Sequence, residues 1–274
     1  NCDLIHIDLA VPMGWHELSD AQLRYAFELI ARNYTSDEIK TLCLCRWAGL
    51  SVRHRHNSDF ICRLGNRTFR LSALQIAECL SALDWLDSIP PQPVCISRIR
   101  RYRPFAPDFS EVAFEKFIIC DNLYQGYLAT RRDDLLDQLA SILYNHNLSP
   151  HNLSPAHRVS VFYWFASVKD LLARLYPHFF QTASQPDNLL GGSRLPSGAQ
   201  IQQAVNAMIR ALTKGDITKE REILALDTHR ALTELDAQAK EYKEFNAKSE
   251  EMNTSTPDPE LSTFCLLYTS DAAD

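Results

Sequence analysis

The chain has eight cysteines but no Cys-x-x-Cys pair. Cys43, Cys45, Cys62, Cys79, Cys95 and Cys120 lie inside apolar runs, where a thiol behaves as a small buried hydrophobe. That unpatterned set fits a reducing cytoplasm better than a disulfide framework. No apolar run approaches the roughly 18 residues needed to cross a bilayer; the longest is Val159–Val168. No basic leader accompanies Leu4–Val11, which carries His6 and Asp8, so a signal peptide is not expected. Also missing are a Gly-x-Ser-x-Gly elbow, a phosphate-cradling glycine loop and a His-Glu-x-x-His helix. Gly191-Gly192-Ser193 lacks the lysine that a phosphate loop requires. These absences predict a soluble, cytoplasmic, non-enzymatic protein with no catalytic residue, no cofactor, no metal and no membrane partner.

A strong charge imbalance is missing too. The formal charge is −6, or −4 once Asp271 and Asp274 are set aside, which argues against wholesale nucleic-acid coating but leaves room for local basic patches. Those two acids are set aside because Cys265–Asp274 reads as the translation of a transposase-type sequencing adapter, TGT CTC TTA TAC ACA TCT GAC GCT GCC GAC, without a mismatch. With the absence of an initiator Met at Asn1, the expectation is an open reading frame from an environmental read assembly, cut at one or both ends.

What is present is mostly helical pattern. Ser19-Asp-Ala-Gln22, Thr35-Ser-Asp-Glu38 and Ser72-Ala-Leu-Gln75 have the form of capping boxes. They predict helices over about 20–32, 37–47 (ended by Gly49) and 73–86. Between the second and third the apolar period changes to two. The runs 50–56, 60–64 and 68–71, with Gly65-Asn66 as a hairpin turn, predict a small antiparallel meander. The stretch 90–107 has too many prolines for a helix. Ser110 is expected to cap a helix to about Thr130, and Arg132 to Asn145 reads as another. Ser154 with Pro155 at the first helical position opens the most apolar helix, expected to end at Pro177. Its apolar residues lie on several faces, predicting enclosure on more than one side.

The predicted fold class is mainly α (α+β): a helical core domain over 1–180 with the meander near 50–71, a linker over 181–198 and a helical C-terminal region over 199–250. Residues 251–264 are expected to be disordered, before the adapter-like stretch 265–274.

Two groups of arginines stand out. Arg53, Arg55, Arg63, Arg67 and Arg70 fall on the meander with Asp59 the only acid between them. Arg98, Arg100, Arg101 and Arg103 crowd the proline-rich segment beside Tyr102 and Phe105. Arginines interleaved with aromatics can neutralise phosphates and stack on bases; the same residues could blunt a strand edge or meet an acidic protein partner. Candidate anionic-partner residues are therefore Arg53, Arg55, Arg98, Arg100, Arg101 and Arg103. His54 and His56, two apart on a strand, share a face as metal ligands would, but no third ligand at matching spacing appears.

Finally, Gly14-Trp-His-Glu-Leu-Ser19, Ser36-Asp-Glu-Ile-Lys-Thr-Leu-Cys-Leu44, Leu189-Leu-Gly-Gly-Ser-Arg194 and Ala211-Leu-Thr-Lys-Gly-Asp-Ile-Thr-Lys219 resemble segments of conserved proteins of prophages and other mobile elements of gut bacteria. The last segment is similar to pieces of phage tail-assembly proteins, including tail assembly chaperones. The resemblance carries no catalytic residue. It implies a structural or assembly protein of a phage-like particle, with a phage structural component as partner; the alternative is a nucleic-acid-binding accessory protein of a mobile element.

Overall fold

Local capping signals set the first half of the fold. The structure, a computed structural model, describes residues 9–57, 59–183 and 198–254. Helix α1 (Asp20–Ala31) and helix α2 (Ser36–Ala48) open on complete capping boxes, Ser19 with Gln22 and Thr35 with Glu38. Gly49 ends α2 in the left-handed region at φ 69°, which a residue with a Cβ adopts only at a cost. The chain then enters β1 (Leu50–His56), β2 (Asp59–Leu64) and β3 (Arg67–Ser72), an antiparallel sheet in the order β1-β2-β3. Gly65, at φ 57°, makes the β2–β3 turn. Ser72 and Gln75 box the start of α3 (Ala73–Ser81).

Helix α3 stops well short of the expected Leu86. Residues Asp84–Asp87 form a separate 3₁₀ turn. In such a turn, side chains three apart eclipse one another, so Asp84 and Asp87 both reach the Lys40 ammonium, each at 2.5 Å. That long-range pairing, with Leu83 and Leu86 turned into the core, is what ends the helix early.

Helix α4 runs over Phe114–Thr130, and its N-cap is Ala113 rather than Ser110. The Ser110 amide is held by Asp108 Oδ1 at 3.0 Å, and Phe109 and Glu111 on either side of it sit at positive φ. The α4 N-terminus is satisfied from a distant part of the chain instead: the Phe114 amide donates to Leu226 O at 2.7 Å.

Helix α5 (Asp133–Leu143) leads to α6 (Pro155–Leu175), where Ser154 is the N-cap and Pro155 the first helical residue. Pro177 does end α6, but it also starts α7 (Pro177–Ala183), since proline suits a first helical position. The C-terminal helices are α8 (Gly198–Thr213), α9 (Glu220–Leu224) and α10 (Thr228–Thr254). Most of the expected linker, the segment after residue 254 and the adapter-like stretch fall outside the described residues.

Two apolar clusters make the core, and α6 separates them. On one side Trp15, Leu23, Phe27, Cys43, Leu44, Leu83, Leu86 and Ile96 gather, with Ala156, Val159 and Tyr163 of α6 against them. On the other, Phe109, Phe114, Phe117, Leu139, Leu143 and Tyr144 meet Trp164, Phe165, Val168 and Leu172. This explains why α6 is apolar around most of its circumference. Ala231, Leu232 and Leu235 of α10 belong to the second cluster, so the C-terminal helices share the core of the preceding ones. The link is reinforced at Thr228, whose amide and hydroxyl both donate to Val112 O, at 2.8 and 2.6 Å. Among the described residues, no helix is long and apolar enough to cross a membrane.

Candidate functional site

The sheet has two unlike faces. Cross-strand partners share a face, and the pairs Leu50–Leu64, Val52–Cys62, Cys62–Phe69 and Phe60–Leu71 define the one that packs on α2 and α3. Leu50 and Cys62 are buried there. The opposite face carries Ser51–Arg63–Thr68 and His54–Ile61–Arg70. Simple alternation would put His54 with Val52 on the inner face. It does not, because a β-bulge between Val52 and His54 leaves Arg53 without a partner on β2. A bulge sets two residues against one, so Arg53 and His54 both lie outward and Arg55 moves to the inner face.

Arg53, Arg63 and Arg70 thus stand on the outer face with His54 and His56, and all five are exposed. Arg55 sits at the inner rim, its guanidinium carbon 5.8 Å from the Phe60 ring centroid and its Nε donating to Asn57 O at 3.0 Å. The candidates Arg53 and Arg55 therefore belong to different faces. His54 and His56 share the outward side, and no group of three or more His, Cys, Asp or Glu suited to a metal ion occurs among the described residues.

The second arginine group sits on a feature the sequence did not signal. Ile99 and Tyr102 exchange two backbone hydrogen bonds, at 3.1 and 3.0 Å, closing a tight turn with Arg100 and Arg101 at its tip. Turns of this kind favour Gly or Asn, and neither is present. Arg100 instead takes φ 55°, a conformation that costs an L-residue roughly 1 kcal/mol.

The turn is firmly mounted. Ile96 and Ile99 are fully buried. Tyr144 Oη donates to Ile96 O at 2.6 Å, the Phe105 amide to Leu143 O at 2.9 Å, and Trp164 Nε1 to Pro107 O at 2.8 Å. Tyr102 stacks on His146 with ring centroids 3.7 Å apart, and Arg101 Nη2 donates to Tyr102 Oη at 3.0 Å.

Both basic elements leave the body beside α1. The Ser97 amide donates to the Asp20 carboxylate at 3.0 Å, and Arg24 Nη2 donates to Arg98 O at 2.5 Å. At the next residue, the Arg46 guanidinium carbon lies 4.5 Å from the Tyr25 ring centroid, where α2 is about to turn into β1.

Residues 50–105 contain nine arginines against four acids, Asp59, Glu78, Asp84 and Asp87. Lys40 from α2 neutralises Asp84 and Asp87. It holds the Asp87 carboxyl below its ordinary value, against the opposing effect of partial burial. All nine arginines are exposed, and none forms an ion pair with a carboxylate among the described residues. Elsewhere Arg32, Arg132, Arg158 and Arg174 are paired with Glu28, Asp134, Asp137 and Asp170, while the exposed Arg46, Arg131, Arg210, Arg221 and Arg230 are spread along the chain without a carboxylate partner among the described residues.

The thiols show the opposite character. Burial pushes Cys43 and Cys95 up to about 12 and Cys120 well up, so these groups stay protonated and poorly nucleophilic. They serve as packing residues. Comparison of the chain with protein-family models, with curated proteins and with solved structures finds no match in any of the three.

Proposed function

We propose that this chain is a non-enzymatic binding protein whose partner is nucleic acid, held by the arginines of the β-meander and of the Ile99–Tyr102 turn. One observation carries the reading: nine exposed arginines without carboxylate partners cluster within residues 50–105 against four acids, while the rest of the chain holds all of the net negative charge. Exposed cations kept free of intramolecular acids can release counterions from a polyanion, which supplies most of the sequence-independent affinity for nucleic acid. The basic turn is braced before any partner arrives, so little ordering entropy opposes binding.

The test is fluorescence anisotropy with labelled oligonucleotides across a salt series. Affinity should fall steeply as salt rises, and R98A/R100A/R101A should reduce both the affinity and the steepness of that fall. No binding by the parent protein at low salt would end this reading.

A second reading, an assembly factor of a phage-like particle such as a tail assembly chaperone, is favoured by α10. Tyr242 and Phe245 of α10 are 62 % and 68 % exposed. An aromatic pair three residues apart on a helix suits a protein groove. An assembly factor should co-purify with a tail or capsid protein expressed from the same element and ignore oligonucleotides.

A further inference from the structure

The two faces of the sheet distinguish one kind of nucleic acid from another. We infer that the outer face of β1-β2-β3 docks in the major groove of double-stranded DNA, with Arg63 and Arg70 directed at base edges. This rests on the nucleic-acid reading above and specifies its partner.

Single-stranded nucleic acid is bound on platforms where aromatic rings stack on splayed bases. Here the aromatic residues of the sheet, Phe60 and Phe69, are on the inner face with Cys62 and Leu71. The outer face offers Arg53, His54, His56, Arg63, Thr68 and Arg70 around a central Ile61, and it lacks Phe, Tyr and Trp. Guanidinium forks, hydroxyls and imidazoles are groups that read the donor and acceptor pattern of base edges, and arginine paired with guanine is the commonest such contact.

The dimensions agree. Three strands about 4.8 Å apart set the outer strand axes about 10 Å apart, against a groove about 12 Å wide. Strands of six to seven residues extend about 20 Å, or about six base steps of 3.4 Å. Arg63 faces Thr68, so Arg70 is its diagonal neighbour on β3. Diagonal neighbours lie about 7 Å apart, close to two base steps. Only Asp59, at the end of the face beside His56, opposes the phosphate charge.

Duplex RNA is a poorer fit, because its major groove is deep and too narrow for side chains to read. The bulge at Arg53 has a role in this arrangement. It brings Arg53 and His54 out together and bends β1, adding twist along the edge that must follow the groove.

The experiment uses the full chain with a labelled 20-base-pair DNA duplex, its single strand and an RNA duplex of the same sequence. The expected result is DNA duplex bound at least about ten-fold more tightly than either alternative, and about ten-fold weaker binding by R63A/R70A. Unchanged far-UV circular dichroism and Tm would confirm that this exposed pair leaves the fold intact. Methyl green, which occupies the major groove, should compete, and netropsin, a minor-groove ligand, should not. Single strand or RNA duplex bound as tightly as DNA duplex would overturn the duplex assignment while leaving the nucleic-acid reading standing. Full affinity in R63A/R70A, or competition by netropsin alone, would overturn the groove placement. If none of the three nucleic acids binds, both conclusions fall.

Discussion

His157 should make this protein acid-labile in a pH range set by its burial and by the charge of Arg24. The ring lies in the first turn of α6, with Nε2 2.6 Å from Arg24 Nη1. A guanidinium can only donate, so this contact needs an unprotonated Nε2. Nδ1 lies 3.0 Å from the Ser154 amide, which donates to it in the capping box, and 3.0 Å from Ser154 Oγ, so both ring nitrogens face donors. Protonating Nε2 would set two donors and two positive charges face to face. Burial first, and the Arg24 charge second, lower the His157 pKa to about 4 from an ordinary 6.5.

The unfolded chain therefore binds a proton between pH 6.5 and 4 that the folded chain refuses. Stability from this group is complete above pH 6.5 and is lost as pH falls toward 4. Linkage over that interval gives about 2 kcal/mol lost between pH 7.5 and pH 5 as an upper value. Solvent screening of the half-buried Arg24 reduces the expectation to about 1–2 kcal/mol. H157Q is the informative variant, because glutamine at this position completes the capping boxes at Ser19 and Ser72 and does not titrate. Urea unfolding at pH 7.5, 6.5, 5.5 and 5.0 should show the parent losing about 1–2 kcal/mol more than H157Q across the series. Carboxylates titrate in both proteins and cancel. Parallel pH profiles for the two proteins would refute the assignment, as would an NMR titration of the His157 ring centred near 6.5.

Two other substitutions follow from the same geometry. Arg158 holds Asp137 by two hydrogen bonds, at 2.7 and 3.0 Å, with only 11 % of the aspartate side chain exposed. R158M should cost about 3 kcal/mol in urea unfolding because it strands that carboxylate, while R158M/D137M should recover most of the loss; equal costs for the single and double variants would contradict this. R100G should leave thermal stability unchanged or raise it by up to about 1 kcal/mol, since glycine adopts φ 55° without strain, while weakening oligonucleotide binding. A clear fall in Tm would mean that the Arg100 side chain supports the turn.

The helical elements that were legible in the sequence are those whose signals are local. Ser19, Thr35 and Ser72 announce their helices because the capping partner is three residues away, and Gly49 and Gly65-Asn66 mark conformations few other residues take. The signals that failed depend on distant residues. Nothing near Leu83 says that Lys40 will draw Asp84 and Asp87 out of helix α3, and nothing near Ser110 says that Leu226 and Thr228 will occupy the backbone of residues 112–114. The arginines of the candidate interface could be located from the sequence, but their faces could not. Alternation puts Arg53 and Arg55 together, and the bulge separates them. The turn at Arg100 carries no Gly or Asn because its conformation is imposed by the buried residues Ile96 and Ile99 and the stacked Tyr102.

The splice between residues 112–114 and 226–228 also sets an order of events. Helix α4 has no side-chain cap of its own; the groups that satisfy its first amide and dock its entry strand lie over a hundred residues later. At synthesis rates of about 5–20 residues per second, that interval lasts on the order of 10 s. Throughout it, Phe114, Phe117 and their neighbours are made but lack the α10 side chains that complete their cluster. The α1–α2 hairpin and the meander, built from near neighbours, can assemble in that time. The central cluster cannot close until Thr228 emerges, so the arginine-bearing meander is formed and charged while the core that mounts the Ile99–Tyr102 turn is still waiting for its last helix.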